Sequence, residues 1–252
     1  MAPGSLLLLL AVIALVCTGV WAVVVTPRLR RIQGGGSGLG FVRACSNGYC
    51  RTVHRVQVEG RDHLRQLDPD RGVLLVANHT GAIDPFLLQV PLDRFIHWMM
   101  ARDMMWPVLD DLWDLLRIVP VDRTRTDTAA LRRAIRLLRN KQVIGLFPEG
   151  RVTRPSGTIR PFLTGVGLLA TRTEATVLPM LIDGTPDTDG VMASLLGPSR
   201  TRLRILEPMR FDRTTPPDEA AAAIRAAMAT ASNWVLLDES MPLETGSAAM
   251  PD

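Results

Sequence analysis

Asn78-His79-Thr80-Gly81-Ala82-Ile83-Asp84 sets an imidazole and a carboxylate five positions apart, directly after a short apolar run. Histidine can take and return a proton near neutrality, and a carboxylate on one ring nitrogen fixes the tautomer and orientation that let the other act as a base. The chemistry this permits is removal of a proton from an attacking hydroxyl. Positions five apart lie about 140° from each other on a helix, so the pair cannot share a helical face. A strand, a loop and a helix start can bring them together, with Gly81 at the turn. Plainer roles exist for both residues. Asp84-Pro85 is a helix opening in which the carboxylate serves as N-cap and proline takes the first helical position, and a lone histidine is usually packed or solvated.

Phe147-Pro148-Glu149-Gly150-Arg151 follows a second apolar run. Glycine lets backbone amides come close to a ligand, and arginine presents a planar fork suited to phosphate oxygens. By itself the segment is also an ordinary turn. Between the two motifs, Ile118-Val-Pro-Val-Asp-Arg123 ends in an arginine able to share a phosphate, or simply to be solvated. His54, His63 and His97 have no evident partner, and no metal site is expected. Cys17, Cys45 and Cys50 are too few for a disulfide framework or a zinc site.

These motifs need an alternating α/β scaffold. Strands are expected over Arg51–Glu59, Gly72–Ala77, Val143–Phe147, Thr176–Ile182 and Thr201–Ile205, and helices from Asp84, over Thr128–Asn140 and over Asp218–Trp234. In such folds ligands gather beyond the carboxyl ends of the strands, where both motifs fall. Met104–Leu116 is apolar enough to line a tunnel for an apolar chain or dip into a membrane interface, although such a stripe is more often core.

The chain has 252 residues, 47% of them hydrophobic, enough for one core of good size rather than two domains. Its formal charge of +4 favours anionic partners such as phospholipid surfaces. Nucleic acid is not an expected partner, because aromatic residues are only 5% and no nucleic-acid-binding signature is present. Leu6 to Val25 runs without a charge, and at 1.5 Å per residue a helix of that length spans roughly 30 Å of hydrocarbon. Arg28, Arg30 and Arg31 follow the run and no basic residue precedes it, which suits an uncleaved anchor with the remainder on the cytoplasmic side of the cell membrane. Gln33–Gly40 has neither dinucleotide-loop nor P-loop spacing and reads as a flexible linker that precedes no helix. The expected organisation is thus an anchor over 1–27, a basic and glycine-rich linker over 28–50, a catalytic domain over 51–238 and a disordered tail over 239–252.

Four blocks, in order, resemble the glycerol-3-phosphate and 1-acylglycerol-3-phosphate acyltransferase family. Asn78, His79 and Asp84 match its NHxxxxD block, Arg123 the arginine closing its second block, Phe147 to Gly150 its FPEG block, and Val177-Leu-Pro179 with Gly184 its fourth. The resemblance implies a single α/β acyltransferase domain with a mostly parallel or mixed sheet flanked by helices. It implies His79 as general base and Asp84 as its orienting partner, with the FPEG block, Glu149 and Gly150 in it, at the acceptor's phosphate; Arg123 and Arg151 are expected to share that phosphate from the chemistry of the guanidinium alone. The expected reaction moves a fatty acyl group from acyl-CoA or acyl-carrier protein, a co-substrate rather than a cofactor, to the hydroxyl of 1-acylglycerol-3-phosphate. Arg117, where glycine is usual, and Arg151, immediately after the FPEG block, depart from the pattern. The second departure is similar to enzymes that reacylate lysophosphatidylethanolamine, which is the alternative acceptor. An inactive membrane-anchored lipid-binding protein is the alternative of another class, and the intact His79 and Asp84 argue against it. By family analogy Gly165 supports the phosphate loop, or else it serves helix packing.

Overall fold

The computed structural model describes residues 37–124, 127–188 and 190–238. The chain divides after Cys45 into an amino-terminal unit and a unit from Ser46 onward, and the second carries the sheet. Both the anchor expected over Leu6–Val25 and the tail expected from residue 239 lie outside the described residues. No described helix is long and apolar enough to cross a membrane.

The first described element corrects an expectation. Helix α1 (Ser37–Thr52) occupies much of the stretch read as a linker. Its glycines disfavour a helix, but packing overrides propensity. Cys50 is fully buried, and the Tyr49 hydroxyl donates to the Leu195 carbonyl. Burial pushes the Cys50 thiol up to about 11, leaving it an inert packing group. Because α1 runs to Thr52, the strand expected from Arg51 shrinks to β1 (Gln57–Glu59). His54 is buried with Nδ1 on Ser199 Oγ and Nε2 on the Leu195 carbonyl, which makes it a packing residue.

The chain continues through β2 (Val73–Ala77), α2 (Asp84–Gln89), β3 (Ile96–Ala101), α3 (Asp110–Leu115), β4 (Val119–Val121), α4 (Thr128–Arg139) and β5 (Val143–Leu146). After these come β6 (Thr158–Ile159), α5 (Thr164–Thr173), β7 (Thr176–Asp183), α6 (Val191–Leu196), β8 (Arg202–Ile205), α7 (Pro217–Ser232) and β9 (Val235–Leu236). Seven strands form one sheet in the order β1-β8-β7-β2-β5-β3-β4, while β6 and β9 pair separately. From β7 to β4 all neighbours are parallel; β8 runs antiparallel to β7, so the sheet is mixed.

The central strands are apolar on both faces because both are covered. Along β2 the side chains alternate. Val73, Leu75 and Ala77 join the core shared with Leu87 and Leu88 of α2, whereas Leu74 and Val76 join the core shared with Ala134 of α4, Leu169 of α5 and Ile224 of α7. Helix α4 opens on Asp127, whose carboxylate accepts from the Ala129 and Ala130 amides, and buries Ala130, Ala134 and Leu138.

Two glycines set close approaches. Gly145 on β5 is registered with Trp98 on β3, and a Cβ there would lie 2.8 Å from the indole. On α5 a Cβ at Gly167 would sit 1.7 Å from the Pro217 carbonyl oxygen at the start of α7. Gly167→Ala therefore sets about 1 kcal/mol of gained helix propensity against an overpacking cost of about 1–3 kcal/mol. Packing wins because the obstructing atom belongs to the backbone. A lowered denaturation midpoint at unchanged m-value is the expected result, and a raised midpoint would show that α5 and α7 can separate freely. The packing role considered for Gly165 thus belongs to Gly167, since nothing lies within 4 Å of a Cβ at Gly165.

Candidate active site

Five parallel strands end on one edge of the sheet, and each delivers part of the site there. In spatial order these are Asp183 and Gly184 after β7, Asn78 and His79 after β2, Phe147 to Gly150 after β5, Arg102 and Asp103 after β3, and Asp122 and Arg123 after β4. Where β2 gives way to loop, Asn78 prolongs the ladder with its side chain. Its amide donates to the Ile182 carbonyl at 3.0 Å and accepts from the Ile182 amide at 2.9 Å. That reciprocal pair fixes the exit of the chain and so the position of the next residue, His79.

The loop folds back as its catalytic reading requires. His79 Nδ1 lies 2.8 Å from Asp84 Oδ2, with Asp84 fully buried and the imidazole about one-fifth exposed. Asp84 is the first residue of α2 and does not cap it. Instead its carboxylate turns back and accepts from the Thr80 amide at 2.6 Å, the Gly81 amide at 2.9 Å and the Thr80 hydroxyl at 2.7 Å. Every partner is a donor, so the carboxylate holds the proton on Nδ1 and makes Nε2 the basic nitrogen. The imidazole stacks on Phe147 with centroids 4.0 Å apart, and Phe147 stacks on Trp98 at 5.0 Å. The space left by Gly145 thereby steadies the base.

Glu149, expected beside the acceptor's phosphate, braces the loops around the site. It is buried, and its oxygens accept from the His79 amide at 3.2 Å, the Arg160 amide at 2.9 Å and the Thr153 hydroxyl. Glu149 thus binds the loop after β5 to the loop after β2, aided by the Thr153 amide donating to the His79 carbonyl at 2.9 Å. Burial, opposed by these donors, raises its pKa above the ordinary 4.5. Its stabilisation is therefore complete below that ordinary value and is lost as pH rises through the elevated one. Glu149→Gln offers one acceptor to two backbone amides, with an expected cost of about 1–3 kcal/mol. In denaturation at a series of pH values, the margin of wild type over this variant should narrow as pH rises; a constant margin would mean that Glu149 does not titrate in the folded protein.

Gly150 has φ +76°, the left-handed region open to glycine, and its carbonyl accepts from Arg123 Nη1 at 3.5 Å. Strands lie about 4.8 Å apart, and β4 is three strands from β2. The reach of Arg123 across that gap, assisted by its ion pair with Asp103, brings it to the FPEG turn. Arg151 is half-buried at the same turn.

Sequence reasoning passed over several residues that build the site. Arg154 donates to the Thr80 and Thr188 carbonyls at 2.9 Å each and pairs with Asp187 at 3.0 Å, tying three loops together. Trp234, read as the end of a core helix, lies between α7 and β9 and helps to wall a cleft of about 290 Å³ beside His79. That strand was invisible because β9 is two residues long. Of the Met104–Leu116 stretch, for which tunnel lining, an interfacial position and core were all open, Met104, Trp106, Val108, Leu112 and Leu115 are exposed by 36 to 85%, whereas Met105, Trp113 and Leu116 pack inward.

Fold and contact together define an α/β protein with a hydrogen-bonded histidine–aspartate pair at the carboxyl edge of its parallel strands. The family model described as Acyltransferase matches residues 55–183, just over half of the chain, and the chain belongs to that family. It is 28% identical over 185 residues to the mouse (Mus musculus) 1-acyl-sn-glycerol-3-phosphate acyltransferase alpha, a match covering 70% of this chain and 63% of the relative. It is 26% identical over 122 residues to the Bacillus subtilis 1-acyl-sn-glycerol-3-phosphate acyltransferase, covering 47% of this chain and 59% of that one. The chain thus spans about three-fifths of the length of these curated relatives. The crystal structure of the 1-acyl-sn-glycerophosphate acyltransferase PlsC from Thermotoga maritima shares the fold, with TM-score 0.55 and 20% identity over 87% of this chain and 94% of that one. Arg117, where the resembled family has glycine, carries φ +51°, which explains why a glycine suits that position.

Proposed function

We propose that this chain is an O-acyltransferase that moves a fatty acyl group from an acyl thioester, acyl-CoA or acyl-carrier protein, to the free hydroxyl of a lysophospholipid, with 1-acylglycerol-3-phosphate as acceptor and phosphatidic acid as product. The observation that carries the reading is the 2.8 Å contact of His79 Nδ1 with a carboxylate whose other partners are all donors. Arg123, Arg151 and the backbone around Gly150 hold the acceptor's phosphate, on the β5 side of the base. His79 Nε2 takes the hydroxyl proton as the oxygen attacks the thioester carbonyl. The tetrahedral intermediate then expels the thiolate, which recovers the proton from the imidazolium, leaving an ester and a free thiol. No acyl-enzyme forms.

The reaction takes place at a phospholipid membrane, with the catalytic unit on the cytoplasmic side. Support comes from the uncharged run Leu6–Val25, followed by Arg28, Arg30 and Arg31, and from the exposed Met104, Trp106 and Val108. The test is thiol release by the purified protein against a panel of lysophospholipids. Release that depends on 1-acylglycerol-3-phosphate is expected. Release that depends instead on lysophosphatidylethanolamine would transfer the assignment to that acceptor, and no release from any thioester would sink it.

A further inference from the structure

The 290 Å³ cleft lies beside His79 between the end of β7 and the Thr153–Thr158 stretch, and neither Arg123 nor any of Phe147 to Arg151 lines it. From the chemistry of its walls we infer that it receives the pantetheine arm of the thioester donor. Besides His79 it is lined by Thr153, Ser156, Thr158, Thr185 and Trp234, with Gly157 and Gly184 opening the backbone to close approach. Its charged lining residues are Asp183 and Asp187; among the described residues, no arginine or lysine lines it. Arg154, the nearest such group by sequence, is spent on two carbonyls and Asp187.

Two carboxylates repel a phosphate, so the acceptor's headgroup does not enter here. A neutral arm bearing amides and a hydroxyl meets neither objection. It can exchange hydrogen bonds with Ser156, Thr185 and the backbone and lie against Trp234. The volume sits at the lower end of small-molecule clefts, roughly 300–1,000 Å³, which suits one limb of a substrate and not a whole lipid. Donor and acceptor then approach His79 by separate routes, the thioester through this cleft and the hydroxyl from the FPEG turn. The arm is common to coenzyme A and to acyl-carrier protein.

This inference rests on the proposed acyl transfer, and steady-state kinetics separates the two. Trp234→Ala removes a wall, and Ser156→Phe, at an exposed position, fills the cleft without touching the core. Each is compared with wild type on acyl-CoA, acyl-carrier protein and an acyl thioester of ethanethiol, which has no arm. KM for the arm-bearing donor should rise about tenfold and KM for the ethanethiol ester less than twofold. Where only one carrier serves as a donor the rise is read on that one; where both serve, a rise for one with the other unchanged overturns the assignment to the shared arm. A rise in acceptor KM with donor KM unchanged, or equal shifts for donors with and without the arm, overturns it while leaving acyl transfer intact. Wild-type protein that releases no thiol overturns both.

Discussion

His79→Ala should lower acceptor-dependent thiol release about 10²- to 10⁴-fold, the usual contribution of a positioned general base, while thermal unfolding stays near wild type. The stability half of this expectation follows from what remains. Asp84 keeps the Thr80 and Gly81 amides and the Thr80 hydroxyl, so deleting the imidazole strands no buried charge. The ring is also partly exposed, unlike the carboxylate beneath it. Single-turnover measurement of thiol release, with melting curves on the same preparations, checks both halves. A loss of less than tenfold in the chemical step would remove His79 from the role of base.

Asp84→Ala should cost comparable activity and, unlike the histidine change, stability as well. The fully buried carboxylate accepts from two backbone amides and a hydroxyl of its own loop, and each orphaned buried donor costs roughly 1–3 kcal/mol. Asp84→Asn separates the two consequences. The Thr80 hydroxyl can turn to accept from the new amide while the remaining oxygen keeps the other donors. Folding is then largely preserved and only the charge facing the imidazolium is lost. The expected order of melting temperature is wild type, Asn, Ala, with activity well below wild type in both variants. Because base and orienter act as a unit, adding Asp84→Ala to His79→Ala should lower the rate little further. Multiplicative losses in the double variant would show that Asp84 acts independently of His79.

The legible parts of this protein were those in which chemistry and periodicity coincide. Val73 to Ala77 announces a buried strand by its unbroken apolar run, and the following Asn-His with its distant Asp announces a loop that must close on itself. Helix α4 is as plain, since its arginines fall on the face opposite Ala130, Ala134 and Leu138. What was hidden depended on tertiary contacts. Helix α1 contains glycines that only the burial of Cys50 and the anchoring of Tyr49 justify. Strands β3 and β4 lack alternation, and β4 is three residues with a central proline, held as strand by pairing with β3. Glu149 was placed beside the acceptor's phosphate by the resemblance of its block to the family's FPEG block, which carries no sign of a bracing role. Its bracing role is fixed by Thr153, Arg160 and His79, residues from three separate stretches of chain. Trp234 could not be assigned to a cleft whose other walls come from stretches about fifty to more than 150 residues earlier.

The face-to-face contact of His79 with Phe147 also provides a spectroscopic handle. Aromatic ring currents shield nuclei that lie above a ring, and the 4.0 Å separation places the imidazole in the shielded zone. His54 and His97 meet Tyr49 and Phe95 edge-on, at 5.4 and 6.0 Å. Of the four histidines in the chain, His79 should therefore show carbon-bound ring protons displaced upfield in a magnetic resonance spectrum, and Phe147→Leu should return them toward their ordinary positions. The environment of His79 could then be followed as a resolved signal while each proposed substrate is added in turn.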